Sequence, residues 1–197
     1  MKDADCPPDY LELPLKRFLD LVAAGESAPG GGSAAAVSVA LAAGLSSMAA
    51  LLSTKQLTDA AGLAQRAEDL RERVAPLARA DATAYSRVLA AQRAREAPAH
   101  DGQVRAALSE AADVPLAVAE VGAEVARIAA RLASDGNPNL KGDALCAVLL
   151  ADAGVRAAVR LVEINLTGEQ SEDRRLRRAR ELVDTAASAR RSAEGEV

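Results

Sequence analysis

Apolar and polar positions along this chain recur with helical spacing almost throughout. Leu15, Phe18, Leu19 and Val22 fall on one face of a first helix over residues 12–24, which Gly25 stops. After a turn over residues 26–32, Ser33 stands where an N-cap belongs, at the head of a helix running to about residue 53. Between Glu26 and Lys55 no residue is charged, a stretch long enough to span a bilayer. Its sizeable side chains are only Val37, Val39, Leu41, Leu45, Met48, Leu51 and Leu52, set among Ala, Gly and Ser. Such a segment is weakly driven into lipid and reads as a helix buried on all sides within protein. Ala36, Ala40 and Gly44 recur every four positions and offer a flat stripe for close helix packing.

A third periodic segment opens at Thr58 or Asp59 and reaches about residue 94 with Pro76 inside it; a fourth covers residues 101–133 around Pro115. An interior proline removes a backbone hydrogen bond and clashes with the preceding turn, so each segment is expected to be two helices set at an angle. The polar turn 134–142 leads into a fifth helix over 143–165, and a polar sixth spans 172–190. Residues 1–11 read as a leader and 191–197 as a disordered tail, leaving one domain over 12–190 without repeat or linker. The fifth helix, from Ala144 through Leu145, Cys146, Ala147, Val148, Leu149 and Leu150 to Ala151 and Ala153, is small or apolar almost all round. Two such helices exceed what a lone six-helix bundle encloses, so a homodimer burying part of one is expected.

Composition sharpens this picture. The 197 residues suffice for a substantial core, half are hydrophobic, yet only 2% are aromatic, against 48 alanines. That balance is all-α, excludes an all-β chain and leaves little for a sheet. The single histidine, His100, rules out two-histidine zinc motifs, leaves a Ser-His-Asp triad resting on one residue, and itself reads as a solvent-facing loop residue. A net charge of −4 argues against nucleic acid as partner. The basic run Arg174, Arg175, Arg177, Arg178 and Arg180 is interleaved with Glu172, Asp173 and Glu181 and reads as a solvated helix face. Cys6 and Cys146, far apart and without a signal peptide, read as reduced thiols of a cytoplasmic protein with no membrane segment.

Three constellations can carry chemistry. Pro29-Gly30-Gly31-Gly32-Ser33 is either a tight turn or a loop whose bare backbone meets a ligand at a helix N-terminus. Asp81, with Tyr85 one turn on, is either an exposed helix residue or a carboxylate bordering an Ala-lined interior, with the raised pKa of a general acid or base. Asn137, Asn139, Lys141 and Asp143, with Asn165 at the far end of the fifth helix, are either helix caps or contacts to a ligand's heteroatoms.

Phe18-Leu19-Asp20, Pro29-Gly30-Gly31-Gly32-Ser33, Asp81-Ala82-Thr83-Ala84-Tyr85, Val114-Pro115-Leu116, Gly136-Asn137-Pro138-Asn139, Asp143 and Ile164-Asn165-Leu166, in this order, resemble the cyclodeaminase/cyclohydrolase family. This is the family of the C-terminal domain of formiminotransferase-cyclodeaminase and its stand-alone bacterial relatives. The resemblance implies an all-α dimer with its pocket between subunits, and a folate derivative as substrate without further cofactor or metal. Foremost is cyclodeamination of 5-formiminotetrahydrofolate to 5,10-methenyltetrahydrofolate and ammonia; the alternative is hydrolysis of the methenyl form to 10-formyltetrahydrofolate. A non-catalytic helical binding dimer of the same fold is the reading from another class. The resemblance makes Asp81 catalytic, turns Gly30, Gly31, Gly32 and Ser33 toward the folate, and matches Asn137, Asn139 and Asp143 to a second polar loop. Asp143 is assigned with Asp81 to catalysis, and Tyr85 and Asn165 to substrate binding. Lys55 and Lys141 are candidates to meet the substrate's glutamate carboxylates.

Overall fold

The computed structural model describes residues 7–94, 100–167 and 173–195, and among them there are helices and no strands. After a single 3-10 turn, Tyr10–Glu12, the helices are α1 (Leu15–Val22), α2 (Gly31–Leu51), α3 (Ala60–Val74), α4 (Leu77–Arg93), α5 (His100–Ala111), α6 (Asp113–Asp135), α7 (Lys141–Asn165) and α8 (Arg174–Glu194). Both expected breaks occur. Pro76 lies at the α3–α4 joint and caps α4, and Ala112 separates α5 from α6 just ahead of Pro115. Pro14 shortens the first helix to begin at Leu15. Residues 191–194 of the expected tail continue α8, which Gly195 ends in the left-handed conformation (φ 77°).

The core is built almost wholly from Ala and Val, with Leu70 and Leu166 its largest fully buried side chains. Small side chains let helix axes approach closely, and α2, α6 and α7 show how far. A Cβ on Gly122 of α6 would stand 2.7 Å from Val155 Cγ2 and 3.1 Å from Val39 Cγ2, and one on Gly154 of α7 2.6 Å from the same Val39 methyl. Val39 of α2 therefore sits in a notch made by two glycines on its neighbours. Gly44, the last of the Ala36, Ala40 and Gly44 stripe, is not in this seam: a Cβ built on it would stand 3.8 Å from Cδ of Arg71 on α3.

Neither apolar helix is enclosed within one chain. On α2, Leu41 and Leu51 are each 59% exposed and Met48 is also open; on α7, Leu149 and Cys146 are exposed. Among the described residues only α2 has the length and hydropathy of a membrane span, and less than half of its most apolar window is buried. The α1 face behaves likewise: Phe18 is buried, while Leu15, Leu19 and Val22 are open.

The basic run on α8 is not simply a solvated face. Arg175 donates to Asp173 and Asp113, each at 2.8 Å, and to the Ser109 carbonyl at 2.7 Å, tying the head of α8 to the α5–α6 joint. Its guanidinium pKa rises, first through the hydrogen bond to Asp173. Farther along, the buried carboxylate of Asp152 on α7 meets Arg156 at 2.9 Å and Arg190 of α8 at 3.4 Å. Cys6 and Glu172 lie outside the described residues.

Candidate functional site

The glycine run opens α2 three residues earlier than an N-cap at Ser33 would have it. Gly30 is the N-cap, in extended backbone, and accepts the first helical bond from Ala34 N–H at 3.0 Å. Ser33 is thus the third helical residue, and its buried hydroxyl donates to the Ala78 carbonyl of α4 at 2.7 Å. With no side chain on Gly30 to cap it, the first turn of α2 turns its backbone N–H groups and the positive end of the helix dipole to outside partners, and the Ser33 amide finds one in the Asp81 carboxylate.

Asp81 enters this turn from α4. A Cβ built on Gly32 would overlap the Asp81 carboxyl group, so glycine at this position is what admits the carboxylate. Asp81 Oδ2 lies 3.5 Å from Ser33 Oγ, at the outer limit of a hydrogen bond. Burial pushes the Asp81 carboxyl above its ordinary pKa, against the amide and hydroxyl of Ser33, which hold it down. Of the two readings of Asp81, the exposed helix residue is therefore excluded. Tyr85, one turn on, is nearly half exposed and can meet a ligand over the same face.

The aromatic inventory is narrower than the composition suggests. Tyr10 and Phe18 are buried against each other, edge to face, with centroids 5.7 Å apart. Burial raises the Tyr10 phenol, and the charge of Asp81 adds to it. Residues 7–12 thus belong to the fold and reach the Asp81 side of it, a placement that no periodic signal in the sequence announces.

The second polar loop lies elsewhere. Asn137 N–H donates to Ser53 Oγ at 2.9 Å, its amide Nδ2 donates to the Leu52 carbonyl at 3.0 Å, and its Oδ1 accepts from Asn139 N–H at 3.1 Å. The Asn137 side chain is therefore committed to bolting the Pro138–Leu140 3-10 turn onto the C-terminal end of α2, which is the capping reading. Asn139 and Lys141 remain exposed, Asp143 is half-buried in the first turn of α7, and Lys55 is exposed just past Ser53. This second cluster stands a whole α2 length from Asp81: 21 residues at 1.5 Å, about 30 Å.

Asn165 ends α7 and belongs to neither cluster. It lines a cavity of about 450 Å³ with Gln92, His100 and Arg105. His100 is the first residue of α5, half-buried, with its Nδ1 buried and unpartnered, not a loop residue facing solvent. Among the described residues, no three His, Cys, Asp or Glu side chains gather as metal ligands.

Comparison with known proteins agrees with this architecture. The chain is 34% identical over 165 residues, 78% of its length and 79% of the relative's, to the methenyltetrahydrofolate cyclohydrolase of Methylorubrum extorquens. It superposes with TM-score 0.84 and 28% identity, over 94% of this chain and 96% of the other, on the crystal structure of formiminotetrahydrofolate cyclodeaminase from Thermotoga maritima. A family profile described as formiminotransferase-cyclodeaminase matches residues 14–184, and the chain belongs to that family.

Proposed function

We propose that this protein is a cytoplasmic folate enzyme that hydrolyses 5,10-methenyltetrahydrofolate to 10-formyltetrahydrofolate, with Asp81 moving the proton. The observation that carries this reading is the half-buried Asp81 carboxyl seated against Gly32 at the N-terminal turn of α2, its pKa raised by desolvation. The methenyl carbon is shared between two nitrogens and bears positive charge. A carboxylate beside it offsets the unfavourable positive end of the helix dipole. Asp81 takes a proton from the attacking water as its oxygen bonds to that carbon. It returns this proton to N5 as the carbon–N5 bond breaks, and the hydroxyl proton leaves as the formyl carbonyl forms. One carboxylate suffices, so no metal or cofactor enters this scheme.

The likeness to the Methylorubrum cyclohydrolase supports placing hydrolysis first. The close superposition on the Thermotoga cyclodeaminase favours a second reading, ring closure of 5-formiminotetrahydrofolate. There Asp81 would accept the proton of N10 as it attacks the formimino carbon and pass it to the departing ammonia.

The working unit in this proposal is a homodimer. One chain carries the glycine loop with Asp81 at one end of α2 and the Lys55–Asn139–Lys141–Asp143 cluster at the other. A second copy laid antiparallel along the open Leu41–Met48 face of α2 would bring the polar loop of each chain to the glycine loop of the other.

The test supplies each folate separately to the purified protein and follows methenyl absorbance. Loss from the methenyl form supports hydrolysis, and gain from the formimino form supports cyclodeamination. Activity toward neither overturns the proposal.

A further inference from the structure

The cavity of about 450 Å³ that Asn165 lines opens between the end of α4, the first turns of α5 and the end of α7, and its polar side chains are uncommitted. Gln92, Arg105 and Asn165 all line it, and none of these three side chains makes a hydrogen bond or ion pair with any described residue. His100 lines it too, and its Nδ1 is buried without a partner, which marks a place where the chain does not complete its own hydrogen bonding. Asp101 stands at the same rim, exposed and not paired with Arg105, so the guanidinium is left to an outside anion.

The cavity lies a short way beyond Asp81 along two helices. On α4, Asp81, Tyr85 and Gln92 follow at spacings of four and seven and so share one face, and Gln92 stands 11 residues, about 16 Å, past Asp81. Helix α7 runs antiparallel to α2, with Gly154 beside Ala35 and Asn137, just ahead of α7, beside Ser53. Asn165 lies 11 residues past Gly154 and Gly32 only three before Ala35, so Asn165 stands about 12 Å beyond the Asp81–Gly32 contact. In an extended folate the glutamate carboxylates stand roughly 10–12 Å from the one-carbon unit by ordinary bond lengths. The span from Asp81 to the cavity matches that length, with the long Arg105 side chain to close the remainder.

Resting on the folate reading above, we propose that this cavity holds the glutamate tail of the substrate. The Arg105 guanidinium pairs with a tail carboxylate, and the Gln92 and Asn165 amides donate to its remaining oxygens. The substrate then lies along α4, its one-carbon unit at Asp81, its aminobenzoyl ring over the open side of Tyr85 and its tail in the cavity. The first turn of α5 adds the favourable end of its dipole. The tail is thereby assigned to the chain that carries Asp81, and not to Lys55 or Lys141 at the far end of α2.

The test compares the methenyl or formimino folate that the parent turns over with the corresponding tetrahydropteroate, which lacks the glutamate. The parent is expected to show a KM about 10-fold lower for the glutamyl substrate, with similar kcat. Arg105→Ala is expected to abolish that preference at an unchanged melting temperature, because its side chain is exposed and bonded to nothing in the fold. A preference that survives Arg105→Ala, or that disappears instead in Lys55→Ala or Lys141→Ala, overturns the proposal. Equal KM values for the two substrates in the parent also overturn it, while leaving the folate reading in place. A parent that turns over no folate removes both.

Discussion

The carboxylate of Asp81 fills the space where a side chain on Gly32 would stand. Two residues 49 positions apart in the sequence thus share one volume, and the neighbouring Gly31 does not take part: a Cβ there meets nothing within 4 Å. Gly32→Ala is expected to expel Asp81 from the α2 N-terminus, costing about 1–3 kcal/mol by overpacking and most of the activity. Gly31→Ala leaves the stability within about 0.5 kcal/mol of the parent. Urea unfolding of the two variants, with turnover measured alongside, separates backbone freedom from close approach as the reason for the glycines.

Asp81 links activity and stability to pH in opposite directions. Turnover needs the ionised carboxylate, so the rate falls as pH drops through a folded-state pKa that burial places above the ordinary 3.8. Stability runs the other way. Between the unfolded and the raised folded value, the folded state holds the proton more tightly, so stability falls as pH rises through that window and stays lower above it. Asp81→Asn, uncharged in both states, is expected to be inactive yet more stable than the parent at pH 7, and to lose that advantage below about pH 4. Thermal melts across this range, showing a variant less stable than the parent at neutral pH, would contradict the assignment.

Asn137 and Asn139 look alike in sequence but do different work. Asn137→Ala strands the Leu52 carbonyl and the Asn139 N–H and is expected to cost about 1–3 kcal/mol. Asn139→Ala, at an exposed side chain, is expected to change stability by no more than about 0.5 kcal/mol while weakening substrate binding. Unfolding curves and KM values for the pair distinguish scaffold from ligand contact.

Leu41 stands on the open face of α2, 59% exposed. Leu41→Glu should leave the isolated fold intact, while sedimentation shows a monomer and activity disappears. If two chains complete each site, mixing inactive Asp81→Asn with the weakly binding Asn139→Ala, with subunits exchanged, restores the parent's KM to about a quarter of the sites, because half the dimers then carry one intact site. A dimeric Leu41→Glu, or no restoration on mixing, argues against the shared site.

Much of the fold is legible in the chain because its signals are local. Helical periodicity, Pro76 and Pro115 as breaks, and an uncharged helix after the glycine run all act within a turn or two, although that helix opens at Gly31 and not after Ser33. Asp81 and the glycine run are both visible as candidates for the same reason. Their contact is not, because no local rule says which helix end meets which. That is decided by Val39 entering the notch between Gly122 and Gly154, which fixes α2 against α6 and α7, and by the Ser33 bond to Ala78, which docks α4 onto the start of α2. Polar residues grouped by type separate for an equally physical reason. A 21-residue helix is a rigid rod of about 30 Å, and the Asn137 bonds to Leu52 and Ser53 hold the second loop at its far end. The sequence by itself determined an all-helical chain and the chemistry available to it; only the tertiary structure decided that Asp81 and Gly32 share one place, that Tyr10 packs on Phe18, and that the remaining polar cluster stands a helix length away.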